Sequence, residues 1–537
     1  MIKSNNRKTE SEKDLIGGND FMKKIICALL GVCLLIPCAA PFAAAANKST
    51  VNETDGAAEG VYETVEDAEP FVIIRGMDFN GLKKDAGTDK ETSVGVKITF
   101  GGIVGALCRA AVAGLKSFSA DAAVDVLIDY VYSTMKDYGC DKNGDSADNV
   151  TVPLYEKSVA NYPELSGEGG NGEEALARTA AKRYGADKVY FFVYDWRLDP
   201  TVNAAYLNDL INTALEEHPE SKKVNAVCCS MGGIVTLAYM TYYGSDKINS
   251  LVSDSSVMYG TDVTSELMLG KVNFDADAAD RYLSFVAPAA APFVHMLTKI
   301  GLTERICGFI NSFAEKYKSE IYDRVLLPVY GTMPAIWSIV YNEDYEAAKK
   351  FVFDGKEDEY AALIARTDKI QSEIVARRTK TLENAMANGM KFSVISNYNR
   401  PNICAYESAG LQGDGTLETG PMSFGATVSE VGHELSAEQL AGADEKYVSV
   451  DKCINASTAQ FADMTWFVRN CRHVGCIYMS EFTHFIFALV ESEEQPLCDT
   501  LEGYGRFMIS DSEEKLYPLT LENIAAIENG AGNSPIC

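Results

Sequence analysis

The chain has 537 residues, 47% of them hydrophobic, which is enough to form a large core in one or more domains. Its formal net charge is −28. An acidic surface of this kind repels the phosphates of nucleic acids and anionic bilayers, so we expect no nucleic acid partner. A lipid substrate would have to be recognised through apolar contacts rather than through charge.

The N-terminal region has the pattern of an export signal. Two lysines follow Met22, an apolar run occupies residues 25–41, and small residues continue to Ala46. This order predicts cleavage at about Ala46 and a secreted or cell-surface protein without an integral membrane span. An uncleaved membrane anchor is the alternative, because the apolar run is nearly long enough to cross a bilayer. We assign residues 1–46 to an N-terminal extension with this signal, and the acidic residues 47–68 to a linker.

Short apolar runs alternate with helical patterns through much of the remaining chain. The predicted strands are residues 70–76, 189–193, 224–227, 248–252, 392–396 and 464–468. A helix capped by Asp199 and Pro200 precedes the third strand, and another helix follows it and ends at Gly244. This alternation predicts an α/β fold with a mostly parallel sheet flanked by helices. We assign the core to residues 69–258 and 391–530.

Residues 259–390 interrupt the alternation with helical and apolar loop patterns, including the run of helix formers from Glu357 to Met386. Ligands of parallel α/β sheets bind at the carboxyl ends of the strands. An insertion at this point of the chain is therefore predicted to cover the site as a helical cap or lid. A second folded lobe without a gating role is the alternative.

No metal site is predicted. Asp141 to Asp145, within a second insertion at residues 101–163, resembles the start of a calcium loop, but glycine is missing at the sixth position and Val152 stands where a bidentate carboxylate belongs. Eleven of the 14 cysteines follow residue 46, and none has zinc-site spacing. Their odd number leaves at least one thiol unpaired.

Ser230 is the candidate nucleophile. It lies between the apolar strand that begins at Val224 and a helical segment, in the order Ser230-Met-Gly-Gly233. A serine on such a strand-to-helix turn exposes its hydroxyl beside the N–H groups of the helix N-terminus. Cys228 stands where Gly-x-Ser-x-Gly has its first glycine, and an ordinary strand-to-helix turn is the alternative interpretation.

A serine nucleophile needs a base and an orienting acid, which follow it along the chain in this kind of fold. Asp414 lies on a glycine-flanked loop after the strand at residues 392–396. Three of the five histidines follow it. We expect His473 to be the base, because it lies just beyond the last predicted strand; His433, which precedes that strand, and His484, within an apolar helix, are the alternatives.

Four motifs together resemble the lecithin:cholesterol acyltransferase-like branch of the α/β-hydrolases. They are Tyr194-Asp-Trp-Arg197, Ser230-Met-Gly-Gly233, Met333-Pro-Ala-Ile-Trp337 and Gly413-Asp-Gly-Thr416, and they are followed by a late histidine. The resemblance implies the α/β-hydrolase fold and a serine acyl-enzyme mechanism. It also implies a place in lipid metabolism, with fatty acid esters as substrates and no metal or organic cofactor.

Matched by position, the resemblance gives Ser230, Asp414 and His473 the roles of nucleophile, acid and base. The backbone N–H groups of Met77 and Met231 would form the oxyanion hole. The acyl group would pass to water, as in a lipase or esterase, or to an alcohol, as in an acyltransferase.

Asp195 and Arg197 are expected to hold the loop after the first strand as a charged pair; a surface salt bridge is the alternative. The chain departs from the family at Cys228-Cys229, which replaces Gly-His, and at Arg75-Gly-Met. A surface or binding protein that keeps the fold but is catalytically impaired is the alternative function.

Overall fold

The computed structural model describes residues 64–78, 81–95, 100–117, 119–166, 175–475, 480–512 and 515–530. The predicted export signal lies outside these ranges, as does the predicted linker apart from residues 64–68. Among the helices that are described, none combines the length and apolar character needed to cross a bilayer.

An eight-stranded sheet organises the core. In chain order its strands β1 to β8 are Phe71–Ile74, Val189–Phe192, Val224–Cys229, Ile248–Asp254, Lys391–Tyr398, Thr465–Arg469, Phe507–Ser510 and Leu516–Pro518. Their order in space is β8-β7-β6-β5-β4-β3-β1-β2. Every neighbouring pair is parallel except β7 and β8, which are antiparallel. The predicted α/β-hydrolase fold with a mostly parallel sheet is thus confirmed.

Helices cover both faces of this sheet. In chain order the longer helices α1 to α14 are Phe100–Ser117, Ala120–Met135, Ala175–Tyr184, Pro200–Glu217, Gly232–Tyr243, Asp262–Met268, Ala276–Val286, Ala291–Lys299, Leu302–Lys316, Asn342–Val352, Ala361–Glu373, Arg378–Ala387, Ser480–Glu491 and Leu521–Gly530. The described residues also form four short helices (Pro163–Ser166, Lys318–Ile321, Pro334–Trp337, Thr419–Met422), a π-helical segment (Tyr322–Gly331) and several single-turn 3-10 helices. Short strands form two smaller sheets, one of Lys83–Lys84, Thr92–Ser93 and Val150–Thr151 and one of Thr427–Val428 and Ile454–Asn455.

The central strands are buried on both faces, which explains their continuous apolar runs. All residues of β1, β2, β3 and β6 are buried. The six predicted strands are present, with bounds that differ by a few residues. The sequence did not predict β7 and β8, which lie at one side of the sheet and, unlike β1 and β2, are not fully buried, so they are not marked by a continuous apolar run.

The chain between β4 and β5 is helical in the structure and contains α6 to α12; we use the term cap for residues 259–390. The run from Glu357 to Met386, predicted as one stretch of helix formers, divides into α11 and α12. The turn between these two helices buries Ile374 and Val375.

The carboxyl ends of the parallel strands lie at the same edge of the sheet and gather the predicted site residues there. Gly76 follows β1, Ser230 follows β3, Ser255 follows β4 and His473 follows β6. Asp414 lies in the loop region after β5. The fold therefore brings to one edge residues that are far apart in the sequence.

Candidate active site

Ser230 lies on a strained turn between β3 and α5. Its φ angle is +49°, a left-handed conformation that few residues other than glycine adopt. Its N–H donates to the Asp254 carbonyl at 3.3 Å, and its carbonyl accepts the N–H of Gly233 at 3.1 Å. These bonds hold Ser230 between the end of β4 and the first turn of α5. This is the geometry expected of a nucleophile elbow.

Two glycines allow the backbone to pack closely around Ser230. A Cβ atom on Gly232 would lie 2.5 Å from the carbonyl oxygen of Ile74. A Cβ atom on Gly76 would lie 2.7 Å from the Cβ of Ser230 and 3.3 Å from its Oγ. The shorter two of these distances are well inside van der Waals contact, so the loop after β1, the elbow and the start of α5 can meet only because both residues lack side chains.

Cys228 fills the position two residues before Ser230. Its side chain is fully buried, and burial raises the pKa of its thiol well above the ordinary value. The thiol interacts with the Thr236 hydroxyl of α5. A neutral, small side chain therefore packs against the helix at the position where Gly-x-Ser-x-Gly has glycine.

Asp414 and His473 are in direct contact. The Nδ1 atom of His473 lies 2.7 Å from Oδ2 of Asp414, and the backbone N–H of His473 donates to the Asp414 carbonyl at 3.0 Å. The other carboxylate oxygen, Oδ1, accepts the N–H groups of Thr416 and Leu417 at 2.9 and 2.8 Å. With Nδ1 bonded to the carboxylate, Nε2 keeps its lone pair free to accept a proton.

Ser255 connects the elbow with the histidine loop. Its hydroxyl accepts the N–H of Val474 at 3.2 Å and an amide N–H of Asn397 at 2.9 Å. The preceding residue, Asp254, accepts the N–H of Ser230. One short segment after β4 therefore contacts both the Ser230 turn and the residue next to His473.

Within the ranges that the structure describes, no hydrogen bond joins the Ser230 hydroxyl to the His473 ring. Catalytic hydrogen bonds are often long without substrate and shorten in the Michaelis complex. The structure thus brings Asp414 to His473 directly, and Ser230 to the same edge of the sheet through the backbone.

The two alternative histidines lie elsewhere. His433 is exposed on a turn, where its N–H donates to the Glu430 carbonyl. His484 is partly buried within α13. The Asp414 carboxylate contacts the His473 ring, which favours His473 among the three.

The loop after β1 carries the predicted oxyanion donor Met77, which is partly buried. Arg75 and Asp78 form a salt bridge of 2.8 Å across this loop. The indole N–H of Trp196 donates to the Asp78 carbonyl at 3.0 Å. The second predicted donor, Met231, is buried at the start of α5.

The expected role of Asp195 and Arg197 was wrong in one respect. They do form a buried bidentate pair, with Arg197 Nη2 and Nε at 2.6 and 2.9 Å from the carboxylate. The remaining guanidinium donors bond Tyr138 and Val150 carbonyls and the Ser146 hydroxyl, not the loop after β1. The pair therefore fixes residues 138–150, and Trp196 between them holds the β1 loop.

In the turn at Asp141, one carboxylate oxygen accepts the backbone N–H groups of Asn143 and Asp145 at 2.8 and 3.0 Å. In the described part of the chain, no group of three or more His, Cys, Asp or Glu side chains could hold a metal ion. The absence of a metal or organic cofactor from the reaction stays a prediction.

Sequence reasoning did not identify Ser255 or Asn397. Ser255 stands in a run of small polar residues, Ser253 to Ser256, and only its position directly after a strand could have marked it. Asn397 is the next-to-last residue of β5, and its inward side chain is a signal only once the strand is known.

Comparison with known proteins finds a family match over part of the chain. Residues 174–279 match a family model described as lecithin:cholesterol acyltransferase, and this segment includes the Tyr194 motif and the Ser230 elbow. No curated protein matches the chain. A solved structure titled "The crystal structure of Tle4-Tli4 complex" aligns at 9% identity and a TM-score of 0.31, over 63% of this chain and 77% of that chain.

The matched segment carries two of the four motifs on which the sequence resemblance depends, and it indicates an activity of the lipid acyltransferase or hydrolase kind. The resemblance is therefore confirmed over residues 174–279, where this chain is similar to the lecithin:cholesterol acyltransferase family.

Proposed function

We propose that the protein is an exported serine enzyme that hydrolyses or transfers the acyl groups of lipid or other carboxylic esters. The observation that carries the proposal is the 2.7 Å contact between His473 and Asp414 at the sheet edge that also holds Ser230. In this assignment Ser230 is the nucleophile, His473 the general base and Asp414 the residue that orients the imidazole.

The reaction begins when Nε2 of His473 takes the proton of the Ser230 hydroxyl as its oxygen attacks the ester carbonyl. The N–H groups of Met77 and Met231 stabilise the resulting oxyanion. Collapse of the intermediate breaks the ester bond, and His473 returns the proton to the departing alcohol. Water or a second alcohol then attacks the acyl-enzyme, giving a free acid or a new ester and restoring the serine.

The cap and the overall charge favour an apolar acyl substrate. Helix α8 exposes Phe293 and Met296, and Ile300 directly follows it; their exposed fractions are 59%, 50% and 64%. The spacing of three residues places Phe293 and Met296 on one face of the helix. Because the net charge is −28, contact with an ester-containing assembly would depend on such apolar groups and not on attraction to anionic headgroups.

We favour hydrolysis over transfer for an exported, acidic protein, in which water is the abundant acceptor. A series of esters of increasing acyl length, assayed with and without an added long-chain alcohol, would decide. Formation of free acid alone indicates a lipase or esterase; a new ester that forms in proportion to the alcohol indicates an acyltransferase.

A catalytically impaired binding protein is the second candidate, and Cys228 in place of glycine is the observation that favours it. Ester turnover by wild-type protein and by Ser230→Ala separates the two candidates. The matched control is Ser393→Ala, which removes a buried hydroxyl without a hydrogen-bond partner on β5. We expect Ser230→Ala alone to lose turnover; equal turnover in both variants would refute the serine mechanism.

A further inference from the structure

Glu418 is a buried carboxyl group close to the candidate catalytic acid. It closes the turn that carries Asp414, since Gly413 and Glu418 form an antiparallel bridge and the N–H of Asp414 donates to the Leu417 carbonyl at 3.0 Å. Its side chain is not directed at solvent, for its exposed fraction is 1%. A carboxyl group in this position requires a structural explanation.

One oxygen of Glu418 binds the beginning of the cap. Oε2 accepts the Thr261 hydroxyl and the backbone N–H of Asp262, both at 3.2 Å. Asp262 is the first residue of α6, the first helix of the cap. Glu418 therefore joins the Asp414 turn to the point at which the chain enters the cap.

The other oxygen, Oε1, is buried without a hydrogen-bond partner. Leaving a charged carboxylate oxygen buried and unpaired costs free energy, whereas a proton on Oε1 removes the charge and supplies a donor. The carboxyl groups of Asp262 and Glu266, one helical turn apart on α6, act on Glu418 electrostatically and disfavour its charged form. Glu266 also has a buried oxygen, Oε2, without a partner.

The groups that act on this cluster are predominantly acidic. Asp344 of α10 and the Tyr341 phenol act on Asp262, while Glu407 and the N–H of Ser408 act on Glu266. Burial and these neighbouring carboxylates raise the pKa of Glu418 well above 4.5, raise that of Asp262, and raise that of Glu266 to about 7. The largest causes of these shifts, among the described residues, are burial, carboxylates, hydroxyl groups and backbone N–H groups.

We propose that Glu418 is a positioning residue that acts as a neutral carboxylic acid, holding the Asp414 turn against the cap and making the alignment of Asp414 with His473 dependent on pH. This role of Glu418 rests on the proposed function. A raised carboxyl pKa in the folded state means that the stabilising contribution is complete below the unfolded value, about 4.5, and is lost as the pH rises through the folded value. The contact that Glu418 makes between the Asp414 turn and the start of the cap is therefore most stable in mild acid and becomes weaker as the pH rises.

The test compares wild-type protein with Glu418→Gln, which keeps an acceptor oxygen, adds an N–H donor and cannot ionise. Glu418→Met removes the acceptor as well. Glu430→Gln, at an exposed position, is the matched control. Each protein is measured at about pH 6 and about pH 8 for its thermal unfolding midpoint and for its rate of labelling by a fluorophosphonate probe.

We expect the thermal unfolding midpoint of the wild type and of Glu430→Gln to be lower at the higher pH than at the lower pH. The midpoint of Glu418→Gln should decrease by less than half as much. The labelling rate of Glu418→Gln should equal that of the wild type at the lower pH. At the higher pH it should exceed the wild-type rate by about threefold or more, because the amide cannot ionise; one full pKa unit would correspond to about tenfold. Glu418→Met should be labelled slowly at both.

Identical pH dependence of midpoint and labelling in wild type and Glu418→Gln would overturn the proposal, and so would normal labelling of Glu418→Met. If no protein is labelled at either pH, the proposed function fails instead. The comparison of unfolding midpoints then still decides whether ionisation of Glu418 weakens the contact between the Asp414 turn and the cap.

Discussion

Asp414 and His473 are joined twice: the ring Nδ1 contacts the carboxylate at 2.7 Å, and the backbone N–H of His473 donates to the Asp414 carbonyl at 3.0 Å. The second bond fixes the histidine backbone to the turn that supplies the acid. Orientation of the imidazole therefore depends on the Asp414 turn as a unit, not on one side-chain contact.

Replacing Asp414 by asparagine should lower kcat by about 10³–10⁴-fold, because the amide can stabilise the wrong imidazole tautomer while the turn remains intact. The far-ultraviolet circular dichroism spectrum should not change. Steady-state ester hydrolysis measures the effect, with Asp444→Asn at an exposed position as the control. A loss of less than tenfold would contradict the assignment of Asp414.

The base is tested by His473→Ala and His433→Ala. We expect the first to abolish turnover of a short-chain ester and the second to change it by less than about twofold, because His433 is exposed and away from Asp414. Turnover rates of the two variants on the same ester provide the comparison. The reverse result would transfer the role to His433.

Ser255→Ala should lower both activity and stability. It removes the acceptor of two N–H groups, the part-buried one of Val474 and the buried one of the Asn397 amide, and an unsatisfied buried donor costs about 1–3 kcal/mol. The control is Ser250→Ala on the preceding strand, β4, since the buried Ser250 hydroxyl has no hydrogen-bond partner. Urea denaturation and kcat/KM should both separate the two variants; if they behave alike, Ser255 does not anchor the histidine loop.

Gly76→Ala should impair the nucleophile directly. The new Cβ would lie 2.7 Å from the Ser230 Cβ and 3.2 Å from the Cys229 carbonyl oxygen, so the elbow must shift or the variant must absorb about 1–3 kcal/mol of strain. We expect at least about tenfold slower reaction with a fluorophosphonate probe. Gly505→Ala, where an added Cβ meets nothing within 4 Å, is the control. Equal labelling rates of the two variants would show that the Ser230 turn can accommodate a methyl group at residue 76.

Arg197→Met should destabilise the fold by about 3–5 kcal/mol, because it leaves the buried Asp195 carboxylate without its partner. Arg366→Met breaks a pair with the exposed Asp145 and should cost no more than about 1 kcal/mol. The difference between their urea midpoints tests whether residues 138–150 depend on the buried guanidinium. Similar urea midpoints would mean that residues 138–150 do not depend on the Arg197 guanidinium.

The parallel strands could be predicted from the sequence because each is a short, nearly uninterrupted apolar run, and a strand buried on both faces requires that pattern. Asp414 and His473 could be selected by their order along the chain and their places just beyond predicted strands. Strands β7 and β8 are not fully buried and lack such a run. No proline or glycine marks the turn between α11 and α12.

The supporting contacts could not be predicted, since they join positions that are distant in the chain. Ser255 and Val474 are separated by 219 positions, and Glu418 and Asp262 by 156. No feature of the neighbouring sequence distinguishes Glu418 from an exposed glutamate. None indicates that the guanidinium of Arg197 bonds residues 138–150. Such contacts follow from tertiary packing, which a local pattern does not contain.

The central claim is that Ser230 is the activated nucleophile. Its most direct test is to treat the native protein with a fluorophosphonate and to locate the adduct by mass spectrometry of its peptides. We predict one adduct per chain, on Ser230, which disappears in Ser230→Ala and forms far more slowly in His473→Ala. An adduct on another residue, or none on the folded wild-type protein, would contradict the account.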